Sequence, residues 1–195
     1  MPEYDGLLAL DRLERAVEKV RDRLLRSTAA LEAAGVPYAV IGGNAVMAWV
    51  EQVDESAVRF TRDVNLVLRR QDLERATAAL ATAGFLYRHS AGMDMFLDGP
   101  EAKARDAVHV IFSGEKVRSE DPVAAPDTDE GVSFGAYRVL TLEALVRMKL
   151  TANRDKDKTH LRDMLEIGLI DATWPSRYPP QLAARLQQLI DTPEG

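Results

Sequence analysis

The sequence contains no cysteine, which excludes disulfides, zinc–thiolate sites, iron–sulfur clusters and a cysteine nucleophile. It also lacks any run approaching the ~18 consecutive apolar residues that a membrane-spanning helix requires. Cationic side chains are in deficit, with 25 Lys and Arg against 31 Asp and Glu and a net charge of −6. That balance argues against a protein that coats nucleic acid through overall basicity, but leaves room for a local basic patch. The opening Met1-Pro2-Glu3-Tyr4-Asp5 is acidic and has no basic segment ahead of an apolar one. Secretion by a signal peptide is therefore not expected, and a cytoplasmic location is. Internal repeats and low-complexity tracts are absent too.

What remains is an ordinary globular composition: 195 residues, 46% hydrophobic and 29% charged. A chain of this length forms about one domain and can bury roughly 70% of its unfolded surface without a staple. The patterning divides that single domain (1–195) into an N-terminal helix (1–35), an α/β core (36–140) and a C-terminal helical part (141–195). The fold class expected is α+β, a mixed sheet with flanking helices.

Leu7, Leu10, Leu13, Val17, Val20, Leu24 and Leu31 recur at helical spacing with charged residues between them. They predict one long amphipathic helix ending near Ala34, with Gly35 just beyond its end. The period then changes. Pro37 to Ile41 reads as a buried strand, Gly42-Gly43 as a turn, and Asn44 to Trp49 as a helix capped by Asn44. Asp63 to Leu68 is a second strand, and a helix follows from about Gln71 to Ala83, ended by Gly84. Short strands are expected at Phe85–Tyr87 and Met95–Leu97 around Ala91-Gly92, and a clearer one at Ala107–Phe112. A loop spans 121–131, and an edge strand with its lead-in covers 132–140. The helices at the end open with Thr141 as N-cap, begin again near Asp157 with Asp157 as N-cap, and finish over roughly Pro180–Ile190.

Four features carry possible chemistry. Glycines at the Ile41-Gly42-Gly43-Asn44 junction let the backbone approach a ligand, and the amides of a helix start attract phosphate. In Thr61-Arg62-Asp63-Val64-Asn65, strand alternation puts Asp63 and Asn65 on one face, a pair of oxygen donors suited to a divalent cation. His109 is the one polar residue in an apolar strand, either a hydrogen-bonded core residue or a ligand. Lys149 lies in an apolar helix, where it either snorkels at the surface or meets an anion. One helical turn relates it to Asn153, and likewise relates His160 to Asp163.

Taken in order and spacing, these pieces resemble the nucleotidyltransferase-fold superfamily, in particular small bacterial proteins related to abortive-infection toxin nucleotidyltransferases. The resemblance runs from about Leu31 to Leu169. It rests on Ile41-Gly42-Gly43, on Thr61 to Asn65, and on Lys149 with Arg154-Asp155-Lys156-Asp157 and Leu161-Arg162-Asp163. It implies that Gly42, Gly43 and Asn44 hold the phosphates of a nucleoside triphosphate and that Lys149 meets the nucleotide. It also implies that Asp63 and residue 65 bind Mg²⁺ or Mn²⁺, with the catalytic set completed at residue 109. The reaction implied is transfer of a nucleotidyl group to a hydroxyl on RNA, a protein or a small molecule, and the partner implied is an antitoxin.

The sequence departs from that pattern twice. Asn65 stands where the family has its second acid, and His109 stands where a third carboxylate is expected. Mg²⁺ prefers anionic oxygen, and imidazole suits Mn²⁺ or Zn²⁺ better. Asp106 lies three residues before His109, on the opposite face of a strand. The alternative expectation is therefore a catalytically degenerate nucleotidyltransferase fold serving as a nucleotide-binding or regulatory module. Two substitutions express the reading. Gly43→Val is expected to abolish nucleotide binding with the fold largely intact, and Lys149→Met to weaken triphosphate binding with little change in stability.

Overall fold

The structure, a computed structural model, describes residues 2–193, with side chains from Asp11 onward. Helix α1 (Pro2–Ala33) leads into β1 (Tyr38–Ile41), α2 (Gly42–Glu51), β2 (Val64–Leu68) and α3 (Leu73–Thr82). Then come β3 (Phe85–Ser90), β4 (Met93–Asp98), β5 (Ala107–Phe112), β6 (Gly131–Phe134) and β7 (Tyr137–Leu140). Helices α4 (Leu142–Ala152), α5 (Asp155–Glu166) and α6 (Pro180–Asp191) close the chain.

All seven strands form one mixed sheet in the order β3-β4-β5-β2-β1-β7-β6. At its centre β2 runs antiparallel to β1 and parallel to β5. Central strands are covered on both faces, which explains why β1 reads as an unbroken apolar run and is buried at every position. The β3–β4 turn has Ala91 at φ 52° and Gly92 at φ 73°. Two left-handed residues are what a two-residue hairpin matched to strand twist needs.

Only part of the stripe on α1 is used. Leu24 and Leu31 are buried, Val17 and Val20 are half-buried, and Leu13 is 53% exposed. Leu7 and Leu10 lie outside the described side chains. A 32-residue helix is about 48 Å long. It packs on the sheet and α3, and its buried side chains among the described residues, Arg23 to Leu31, lie in its C-terminal half.

The edge strand expected over 132–140 is instead a hairpin. Gly135, at φ 60°, turns β6 back onto β7, which pairs in parallel with β1. Thr141 does cap α4, its Oγ1 accepting the Ala144 N–H at 3.3 Å. At the other end of α4, Arg185 of α6 donates to the carbonyls of Leu150 and Thr151 at 2.7 and 3.1 Å. A cation at unsatisfied C-terminal carbonyls is favourable on both counts. It ties the helical part together beside the sheet, where α4 and α5 form one wall of a cleft.

Candidate functional site

The cleft has a volume of about 500 Å³ and opens at the β1–α2 junction. Gly42 adopts φ +69°, a conformation side chains rarely take. A Cβ there would also sit 3.1 Å from the Asn65 side-chain nitrogen. Gly43 is tighter still, since a Cβ would come within 2.6 Å of the Thr61 Cβ. Gly42 therefore brings backbone close to β2 itself, and Gly43 to its lead-in. No side chain caps α2, so its first-turn amides are left to solvent or a ligand.

Asn44 does not cap this helix. Helix α2 begins at Gly42, so the two glycines form its first residues rather than a turn ahead of it. Ile41 occupies the N-cap position, and the Asn44 side chain donates to the Asp63 carbonyl at 2.7 Å. It is buried and fixes the residue before β2 rather than facing the cleft. Alternation along β2 sends Val64 and Leu66 into the core and turns Asp63 and Asn65 toward the cleft. Asn65 stands level with His109 on β5. His109 is half-buried, makes no side-chain hydrogen bond among the described residues, and is not part of the cleft lining. Asp106 sits in the short turn before β5, away from the cleft, with Arg105 as its ion-pair partner at 3.6 Å.

The opposite wall is built on Lys149, which is 4% exposed. It does not snorkel. Its ammonium donates to Asp157 Oδ1 at 3.3 Å and to His160 Nδ1 at 2.8 Å. An ammonium has three donors and no acceptor, so His160 accepts as the neutral ring and a third N–H remains. Burial pushes the Lys149 pKa down to about 8, with the Asp157 charge opposing it. Burial and the Lys149 charge together press His160 down to about 4. Asp157 is held below the usual carboxylate range: its own burial opposes this, and Arg154 and Lys149 outweigh it.

Several helical assignments shift here. Helix α5 starts at Asp155, so Asp157 lies inside its first turn rather than at the cap. It accepts the Arg154 Nε–H at 2.7 Å and the Arg154 backbone N–H at 3.4 Å. Asn153 is the left-handed C-cap of α4 at φ 48°, beyond the face it was expected to share with Lys149. Asp163 pairs with Arg59 rather than His160, through bonds of 2.6 and 3.1 Å.

Arg62, Arg118, Lys149, Arg154 and Lys156 line the cleft against three acids, Asp63, Asp121 and Asp157. Among the described residues the side chains of Arg62, Arg118 and Lys156 form no ion pair, although the Arg118 backbone N–H donates to Asp121 Oδ2 at 2.9 Å. The cleft is thus locally cationic in an acidic protein. Sequence reasoning named Arg62, Lys149, Arg154 and Lys156 in separate motifs but missed Arg118 and their convergence, because the members come from four separate segments.

The comparisons fit this geometry. The solved structure of JHP933 from Helicobacter pylori is similar at a TM-score of 0.52 and 15% identity, covering 93% of this chain and 76% of that one. The antibiotic-resistance factor ANT(2'')-Ia matches at TM-score 0.51 and 14% identity, over 90% of this chain and 91% of that one. An antigenic nucleotidyltransferase-like protein from Paracoccidioides brasiliensis matches at TM-score 0.55 and 18% identity, over 88% of each chain. The chain has the nucleotidyltransferase fold. No protein-family model and no curated protein matches the sequence.

For a nucleotidyltransferase fold the metal donors are few. Beside the phosphate turn the cleft offers the Asp63 carboxylate and the Asn65 carboxamide. Its other acids, Asp121 and Asp157, are engaged by the Arg118 backbone and by Lys149 and Arg154, and no three His, Asp or Glu side chains converge among the described residues. Mg²⁺ demands near-octahedral oxygen with anionic ligands. This donor set does not fit a divalent ion held by the protein alone. No helix among the described residues is long and apolar enough to cross a membrane.

Proposed function

We propose that this protein binds a nucleoside triphosphate in the cleft, with the phosphates on the Gly42-Gly43 amides and against Lys149. One observation carries the reading: an uncapped helix start, made of Gly42 and Gly43, opens onto a cationic cleft in a chain of net charge −6. Amides at a helix start and uncompensated cations both favour polyanions. The third N–H of Lys149 and the side chains of Arg62, Arg118 and Lys156, which form no ion pair among the described residues, leave the lining with five cations against three acids.

The same donors argue that transfer is weak or lost. Phosphoryl chemistry of this kind relies on cations bridging the phosphate oxygens and neutralising developing charge. Asn65 contributes no charge to such a centre. The protein is accordingly a nucleotide-binding module whose affinity owes little to Mg²⁺ or Mn²⁺.

The test is Asn65→Asp, which sets two carboxylates at i and i+2 on the cleft side of β2. The expected result is nucleotide affinity in the variant that rises about tenfold or more (~1.4 kcal/mol) when Mg²⁺ replaces EDTA. The wild type should respond far less. Equal metal responses in the two proteins, read by titration calorimetry, would mean that residue 65 does not face the phosphates.

A further inference from the structure

The mouth of the cleft holds two large apolar side chains in water. Phe60 is 62% exposed and Val117 is 60% exposed, and both line the cleft. They belong to different segments, one leading into β2 and the other following β5. Two isolated side chains are too little for a protein-docking patch, which usually extends over hundreds of Å². Apolar walls beside a few cations in a concave site are instead what a small, partly apolar ligand meets.

Phe60 is also held in place. On one side of it, Arg59 is fixed to Asp163 of α5 through two hydrogen bonds of 2.6 and 3.1 Å. On the other, Thr61 sits against Gly43, so closely that no Cβ would fit between them. The backbone on both sides of Phe60 is thus tied down, and its ring lies exposed in the cleft lining. Arg62 and Arg118 follow Phe60 and Val117 closely in sequence and line the same cleft.

We infer that Phe60 is the stacking platform for the base of the bound nucleotide, with Val117 as a second apolar wall. The ligand is then recognised at both ends, phosphates at the glycine turn and base at the mouth. This rests on the triphosphate reading and adds the subsite that separates a nucleotide from a bare polyphosphate. Stacking on an aromatic ring is tolerant of base identity, because every base has a π-face. The chemical class of ligand is therefore a nucleotide in general rather than one base.

The experiment titrates ATP and inorganic tripolyphosphate into the wild type, Phe60→Ala and Phe60→Trp. Phe60→Ala should weaken ATP about tenfold or more, the scale of one base stacked on one ring, and leave tripolyphosphate unchanged. Phe60→Trp should keep ATP affinity. Phe60 is exposed, so thermal stability should not move in either variant. Equal ATP affinity in wild type and Phe60→Ala overturns the base platform while leaving the phosphate site standing. Parallel losses of ATP and tripolyphosphate overturn it too, because Phe60 then shapes the phosphate site. Absence of any ATP binding to the wild type overturns both readings.

Discussion

Lys149→Met should lower triphosphate affinity about 10- to 150-fold and leave the melting temperature unchanged or slightly raised. The affinity loss corresponds to about 1.5–3 kcal/mol, the range for hydrogen bonds to charged groups. Removing one member of a buried pair usually costs about 3–5 kcal/mol, because the other charge is stranded. Asp157 is not stranded here. Arg154 donates to it at 2.7 Å from Nε, and its backbone N–H does so at 3.4 Å. Meanwhile burial outweighs the attraction of Asp157 and holds the Lys149 pKa at about 8. The ammonium is thus kept buried at a cost to the fold, a cost that Met, of similar length, removes. A second readout follows: without the neighbouring charge, His160 should titrate above about 4, visible in the imidazole NMR shifts. A fall in melting temperature with unchanged affinity would make Lys149 a structural ion-pair partner only.

Gly43→Val should abolish triphosphate binding, and it should also destabilise the protein. The first half matches the expectation from the sequence, and the second revises it. A Cβ at 43 would meet the Thr61 Cβ at 2.6 Å and Oγ1 at 2.7 Å. Those atoms lie next to the backbone and cannot swing aside, so the β2 lead-in must move. Overpacking of this kind costs about 1–3 kcal/mol, roughly 2–12 °C in melting temperature for a chain of this size. The cause can be isolated by Gly43→Ala with Thr61→Gly, which removes the colliding Cβ and should recover most of the stability. Binding that survives in a folded Gly43→Val protein would place the phosphates elsewhere.

Much of the fold was legible because its signals are local. The change of period at Pro37 and the two central strands follow from residue order alone. So does the alternation that turns Asp63 and Asn65 to one side. The misreadings have a common physical origin in competition between local and distant partners. Asn44 and Asp157 are good cap residues, yet one finds the Asp63 carbonyl and the other finds Lys149 and Arg154. His160 and Asp163 share a turn of helix, yet each is claimed by a different element. The cationic rim and Phe60 are tertiary facts, since no single segment carries them. Leu13 continues the apolar pattern of α1 yet is 53% exposed.

The most direct measurement is calorimetric titration of the wild-type protein with ATP, GTP, CTP and UTP, first in EDTA and then with Mg²⁺. The account predicts saturable binding of the triphosphates in EDTA, weakened by salt because the cleft binds through charge, and weaker binding of the corresponding nucleosides. Absence of binding by all four nucleotides under both conditions would contradict it.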